Sequence, residues 1–303
     1  MNNKVVIIGC GNVGMSYAYS LLNQKTSVHE LVLIDLNQDR IIGEAMDLNH
    51  CLAFAPNKIN IKAGTYSDCK NASIIVIAAG ANQAPGETRM DLINKNSKIF
   101  KDIIDKVMDT GFNGIFLVAT NPLDVMTYLT YKYSGLPANR IIGSGTCLDT
   151  ARLKFLVSEK VGISPKDINA YVVGEHGDSE FILWKESNIS LQSIDKFISK
   201  DEQKKIEDDV RNAAYEIIAK KGATYYGIGM SLTRITNAIL GDENTVLTVS
   251  NYDAKNDVFV GMPAIIGRNG IEDKVYIEID KEEEVKLENS IRVIKEAINK
   301  VED

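Results

Sequence analysis

Residues 5–14 read Val5-Val6-Ile7-Ile8-Gly9-Cys10-Gly11-Asn12-Val13-Gly14. Four consecutive β-branched residues, with no polar residue between them, suit a strand buried on both faces. The glycines that follow break the strand, and residues 12–23 carry the apolar spacing of a helix. Strand, tight turn and helix in that order open a βαβ unit. Working outward, short Val/Ile-rich runs predict strands at residues 4–8, 30–34, 58–62, 73–78, 114–119 and 140–142. Amphipathic segments between them predict helices at 12–23, 40–51, 91–109 and 122–133. Six such strands joined by crossover helices make the fold class α/β, a doubly wound parallel (Rossmann) sheet.

The glycines carry a second meaning. Gly9, Gly11 and Gly14 form a G-x-G-x-x-G directly after a strand, and Asp35 ends the next strand 21 residues beyond Gly14. In a dinucleotide-binding turn the first glycine permits the bend and the second lets the backbone approach a pyrophosphate. The third allows close helix–strand packing, and the helix amino terminus faces the phosphates. Asp35 then accepts hydrogen bonds from the adenosine ribose, and its charge repels a 2′-phosphate, so NAD is expected rather than NADP. A helix cap is the other use for an aspartate at this place. Two further strand ends, Ala78-Ala79-Gly80-Ala81 and Ala119-Thr120-Asn121-Pro122, fall on the ligand side of such a sheet.

After Gly145 the pattern changes. The expected elements are a helix at 147–161, a strand at 168–173, a long charged helix at 201–221 ending at Gly222, and a helix reaching about residue 240. Strands at 245–251, 257–266 and 274–279 and a charged closing helix at 281–301 complete a second, α+β catalytic domain. The boundary expected is 1–145 for the NAD-binding unit and 146–303 for the catalytic one.

Composition limits the function. The chain has 303 residues, 45% hydrophobic and 25% charged, ordinary for a globular protein. With 34 Lys and Arg against 41 Asp and Glu, the net charge is −7. That charge offers no basic field for nucleic acid or for an anionic lipid surface. The cysteines Cys10, Cys51, Cys69 and Cys147 lack C-x-x-C spacing, so reduced thiols and no metal site are expected. The opening apolar run is too short for a signal peptide and none reaches membrane-span length. Cytoplasm is the expected compartment.

Three histidines are present, His29, His50 and His176. His176 lies in Gly174-Glu175-His176-Gly177-Asp178, just after an apolar run, where a strand would hold a titrating group in a loop. A structural turn histidine fits the same position equally well. Asp149 and Arg152 are three apart and share one helix face, either as part of a site or as an ordinary surface ion pair. Arg89 closes a polar Gly/Pro segment, 81–89, between a strand and a helix, a placement suited to a mobile flap.

The motifs GCGNVG, GANQAPGETR, ATNPLD, SGTCLDTAR, GEHGD and KGATYYG, together with Asp35, occur in one order over essentially the whole chain. In that set the chain resembles the lactate/malate dehydrogenase family, and within it the bacterial-type L-lactate dehydrogenases. The resemblance implies reversible reduction of pyruvate to L-lactate with NAD as cofactor. It implies that His176 is the proton donor and acceptor, that Asp149 orients it, that Arg89 polarises the carbonyl and that Arg152 anchors the carboxylate. Asn121 would hydrogen-bond the reacting oxygen and Thr224 would line the pocket. Val13, Arg40, Tyr66, Gly80, Ala81, Ala119, Asn121 and Ser144 would flank the cofactor beside the glycines and Asp35.

Gln83 stands where malate-specific relatives place arginine, which implies pyruvate over oxaloacetate. A malate dehydrogenase of the same fold and a non-catalytic NAD-binding protein are the competing readings. Gln83 opposes the first, and the joint presence of Arg89, Asp149, Arg152 and His176 opposes the second. The resemblance also implies a homotetramer. Relatives activated by fructose 1,6-bisphosphate carry arginine and histidine where this chain has Lys154 and Asn169, so weak or absent activation is expected.

Overall fold

The structure is a computed structural model that describes residues 3–81 and 89–301, with the backbone alone at 89–91. Its first half alternates strands and helices: β1 (Lys4–Ile8), α1 (Asn12–Asn23), β2 (Glu30–Ile34), α2 (Gln38–His50), β3 (Asn60–Ala63) and β4 (Ile74–Ile77). Next come α3 (Arg89–Met108), β5 (Ile115–Val118), α4 (Leu123–Ser134) and β6 (Ile141–Gly143). The parallel strands run in the order β6-β5-β4-β1-β2-β3, so the connection reverses between β1 and β4. Ligands of doubly wound sheets sit in the crevice at that reversal, beyond the carboxyl ends of the strands.

The Val/Ile runs are buried on both faces, as their lack of alternation predicts. Val6, Ile8, Ile75, Ile77, Phe116 and Val118 face one core with α3, α4 and the chain's last helix. Val5, Ile7, Leu31, Leu33, Val76 and Leu117 face the other, with α1 and α2.

The second half supplies α5 (Cys147–Val161), β7 (Ile168–Asn169), β8 (Val172–Val173), β9 (Phe181–Ile182), β10 (Asn188–Ile189) and β11 (Gln192–Ser193). They are followed by α6 (Lys200–Lys221), α7 (Tyr226–Gly241), β12 (Thr245–Asp253), β13 (Val258–Gly267), β14 (Gly270–Lys274) and α8 (Lys281–Asn299). β12 pairs antiparallel with β6 through Ser250 and Gly143, which carries the sheet on into β13 and β14 as nine continuous strands. Helix α7 packs on α1, where the Tyr17 hydroxyl meets Thr236 Oγ1 at 2.6 Å. The two halves therefore share a core.

Two expected strands differ. The run 168–173 is split, because β7 pairs with β10 whereas β8 pairs with β9. The last strand is Gly270–Lys274 and not 274–279, since Ile277 and Ile279 leave the sheet to pack with Phe181 and Leu183. Among the described residues, no helix is long and apolar enough to cross a membrane.

Candidate active site

The turn after β1 is built around absent side chains. Gly9 has φ +97°, and a Cβ there would lie 2.3 Å from the Ala79 nitrogen on the neighbouring strand end. A Cβ on Gly14 would lie 2.1 Å from the Gly9 carbonyl, so this glycine sets how closely α1 approaches β1. At Gly11, by contrast, a Cβ would meet no described atom within 4 Å. Among the described residues, no side chain caps the α1 amino terminus behind it. Open space in front of uncapped N–H groups is what an anionic pyrophosphate requires, and the turn fits a dinucleotide.

Asp35 faces this turn. Its Oδ2 accepts from the Cys10 N–H at 2.7 Å and its Oδ1 from the Asn37 N–H at 3.2 Å. The cap of α2 is Asn37, which accepts from the Arg40 N–H at 3.0 Å, so Asp35 is not the helix cap. Of the other cofactor candidates, Val13 lies on the first turn of α1. Arg40 points outward and pairs with Glu44 at 3.4 Å. Tyr66 is half-buried at the start of a 3-10 turn, with Lys106 5.5 Å from its ring centre.

Gly80 and Ala81 follow β4, Ala119 follows β5 and Ser144 follows β6, all at carboxyl ends of parallel strands. Buried Asn96, unremarked in the sequence, ties two of these ends together. Its Oδ1 accepts from the Ala81 N–H at 2.8 Å, and its Nδ2 donates to the Asn121 carbonyl at 3.1 Å.

His176 comes to the same rim from the other half. Gly174, at φ +97°, ends β8 and exchanges two backbone hydrogen bonds with Gly261 of β13. The His176 N–H donates to Asp124 Oδ2 at 2.8 Å, while Ser250 Oγ donates to Asp124 Oδ1 at 2.5 Å. Asp124 of α4 is buried, which pushes its carboxyl up to about 6 against the lowering effect of those two donors.

The imidazole is gripped in turn. His176 Nδ1 stands 2.6 Å from Asp149 Oδ2, and Asp149 Oδ1 accepts from an Arg152 guanidinium nitrogen at 2.7 Å. Asp149 is only 1% exposed, so this is no surface ion pair. Burial works against charge on the ring, but the Asp149 carboxylate outweighs it and raises His176 to about 9. Burial also opposes ionisation of Asp149, yet the imidazolium and Arg152 hold it below the ordinary aspartate value. With Nδ1 engaged, Nε2 is the ring nitrogen left for proton exchange. The sequence placed His176, Asp149 and Arg152 in one site, and they meet.

Thr224 is half-buried in the link between α6 and α7. Arg89 opens α3, but its side chain, like all of Gln83, lies outside the described residues. Lys154 stands 5.8 Å from the Tyr171 ring centre with its pKa lowered by burial, and exposed Asn169 donates to Asn188 at 3.2 Å. Asp149, His176 and Glu180 offer ligand atoms within 4.8 Å of one another. The Arg152 cation beside Asp149 disfavours a metal ion there.

Two family models divide this architecture. The lactate/malate dehydrogenase NAD-binding domain matches residues 3–143, and the lactate/malate dehydrogenase alpha/beta C-terminal domain matches 146–303. The chain belongs to the lactate/malate dehydrogenase family. Within that family it is 52% identical to an L-lactate dehydrogenase of Bacillus pumilus and 49% identical to L-lactate dehydrogenase 2 of Bacillus cereus. Each alignment covers 98% of this chain and 97% of the relative. Among solved members, a lactate dehydrogenase from a Medee basin deep-sea metagenome library superposes with a TM-score of 0.97 at 46% identity, over 100% of this chain and 99% of that one. The minor L-lactate dehydrogenase of Enterococcus mundtii, in its ligands-bound form, superposes with a TM-score of 0.95 at 42% identity, over 99% and 98%.

Proposed function

We infer that the chain is an NAD-dependent L-lactate dehydrogenase, reducing pyruvate to L-lactate and running the reverse reaction. The observation that carries this reading is the line from His176 through Asp149 to Arg152, at 2.6 and 2.7 Å, held against the start of α4 just after β5. Gly9, Gly11, Val13, Gly14, Asp35, Arg40, Tyr66, Gly80, Ala81, Ala119, Asn121 and Ser144 are the proposed cofactor contacts. When bound, the nicotinamide supplies or accepts a hydride at the substrate carbon.

The chain's own residues do the rest. With its pKa near 9, His176 is charged at neutral pH and carries the proton that the keto oxygen must receive. Asp149 fixes the ring orientation and stabilises the imidazolium. Arg152 grips the substrate carboxylate, its planar fork matched to two oxygens. Arg89 polarises the carbonyl, Asn121 hydrogen-bonds its oxygen and Thr224 lines the pocket. In lactate oxidation the ring must start neutral, so that direction gains as pH rises.

Gln83 sets the substrate in this reading. Oxaloacetate would bring a second carboxylate beside a neutral side chain, and a buried charge without its partner costs about 3–5 kcal/mol. The test is NADH oxidation with pyruvate and with oxaloacetate, in the unmodified chain and in Gln83→Arg. Pyruvate is preferred at the outset and the ratio moves toward oxaloacetate in the variant; a ratio that stays put contradicts the assignment.

The remaining proposals follow the family. The division falls near residue 145, the assembly is a homotetramer and the compartment is the cytoplasm. Exposed Ile42 and Met46 on α2 and Met230 on α7 are the kind of apolar surface an assembly would cover. Lys154 and Asn169 make activation by fructose 1,6-bisphosphate weak or absent. Adding that sugar to the same assay checks this, and a large fall in the KM for pyruvate refutes it.

A further inference from the structure

One buried acid at the site has no part in the mechanism above. Glu180 lies on the turn that leads into β9, 6% exposed, with its backbone N–H donating to the Gly177 carbonyl at 3.3 Å. A carboxylate oxygen of Glu180 is within 4.8 Å of both an Asp149 oxygen and a His176 ring nitrogen. The charged groups around it come from every neighbouring element. Asp149 and Arg152 stand on α5, and His176 and Asp178 on its own loop; Asp124 on α4 meets the His176 N–H, and Glu175 accepts from Ser179. Glu207 and Arg211 stand on α6, and Lys286 on α8 across a groove.

Arg152 places one guanidinium nitrogen on Asp149, and Arg211 reaches Glu180 at the backbone carbonyl, 3.5 Å away. Two carboxylates sharing a desolvated site do not both ionise readily. Asp149 is the one with cations on both oxygens, so the proton falls to Glu180. We propose that Glu180 is a positioning residue of the dehydrogenase: it holds a proton, donates it as a hydrogen bond to Asp149, and so fixes the carboxylate that fixes His176. Burial and the Asp149 charge raise Glu180 to about 9, in keeping with a neutral acid at physiological pH. The arrangement gives Asp149 a third partner besides His176 and Arg152, and it adds no second negative charge behind the imidazole.

This inference rests on the lactate dehydrogenase reading, and its test separates the two. Infrared spectra of the whole protein with 13C-labelled glutamate come first. A carboxylic acid carbonyl band at neutral pH that moves with the label is expected, and aspartate, including Asp124, would not move it. No such band, or a band that persists in Glu180→Gln, overturns the proposal, and this readout needs no turnover. Glu180→Met, which keeps volume and loses the donor, is expected to lower kcat for pyruvate about tenfold with KM little changed, the scale of one charge-assisted hydrogen bond.

Glu180→Gln, which keeps a neutral donor, is expected to recover kcat to within about threefold of the unmodified chain and to leave His176 titrating in place. The ring is followed by 15N NMR, simplified by there being only three histidines. A fall of about tenfold or more in the ring's proton affinity in Glu180→Gln would mean that Glu180 had been ionised, and would overturn the proposal. Equal rates for the Met and Gln variants would do the same. If the unmodified chain does not reduce pyruvate, the enzymatic reading fails while the spectra still decide the state of Glu180.

Discussion

Replacing Asp149 with asparagine removes one charge and keeps the shape of the side chain. In the native site the carboxylate lies 2.6 Å from His176 Nδ1 and raises the ring from its ordinary 6.5 to about 9. That net difference corresponds to about 3 kcal/mol in favour of the charged ring, the balance left after burial has opposed the carboxylate. In Asp149→Asn burial acts on the ring unopposed by this partner, and burial favours the neutral imidazole. The pKa then falls to its ordinary value or lower. Near pH 7.5 the charged fraction drops from nearly complete to less than about a tenth. Pyruvate reduction therefore slows at least about tenfold from protonation alone, before any loss of ring orientation. The assay is kcat/KM for pyruvate from about pH 6 to 10, where the falling limb stands near 9 in the unmodified chain and moves below neutrality in the variant. A limb that stays near 9 in Asp149→Asn refutes the argument. Stability follows the same sign. The folded value of His176 is raised, so its contribution is full below 6.5 and lost as pH rises through about 9.

The other predictions come from the turn at each end of the architecture. Asp35→Asn keeps an oxygen for the Cys10 N–H but removes the charge that repels a 2′-phosphate. The preference for NADH over NADPH, read as a ratio of kcat/KM, should fall about tenfold or more, and an unchanged ratio assigns the preference elsewhere. In the β10–β11 hairpin, Ser190 and Leu191 both adopt positive φ, 48° and 65°, and Leu191 is 96% exposed. Asn-Gly is the pair that two-residue turn favours, so Ser190→Asn with Leu191→Gly should stabilise the fold by about 1 kcal/mol. A thermal melt shifted upward by roughly 2 °C supports this, and a lower Tm contradicts it.

How much of this was visible in the sequence depends on whether a residue acts through its neighbours in the chain or through distant ones. The Val/Ile runs of β1, β2, β4 and β5 predict their own burial, because a strand covered on both faces has no polar positions to alternate with. The glycines and Asp35 are legible by spacing, since the turn and the next strand end fix where they stand. His176, Asp149 and Arg152 were joined by resemblance and not by any local signal, for Asp149 and His176 lie 27 residues apart. Asp124, Asn96 and Glu180 went unread because their roles exist only across the fold. Asp124 meets a backbone N–H 52 positions away, and Asn96 bridges two strand ends. The same cause misplaced the last strand. Val275-Tyr276-Ile277-Glu278-Ile279 alternates as a strand does, but its apolar side chains find their core against Phe181 and Leu183 instead of in the sheet.

The join between the halves ties both sides of the site to one sheet. The cofactor turn hangs from β1, whereas the histidine hangs from β8, and no short segment connects them. Both are nevertheless referred to one sheet. Gly261 of β13 pins the root of the His176 loop, and Ser250 of β12 holds the Asp124 carboxylate that receives the His176 N–H. β12 is itself paired to β6 of the parallel half. Proton transfer falls off when the donor is displaced by a fraction of an ångström, and a donor on a separately tethered unit would wander by more than that. Carrying β12 and β13 onto the edge of the nucleotide-binding sheet removes that freedom. It also places Asp124, an acid of the first half, against the backbone of a histidine from the second, so the loop's position depends on both units being folded together.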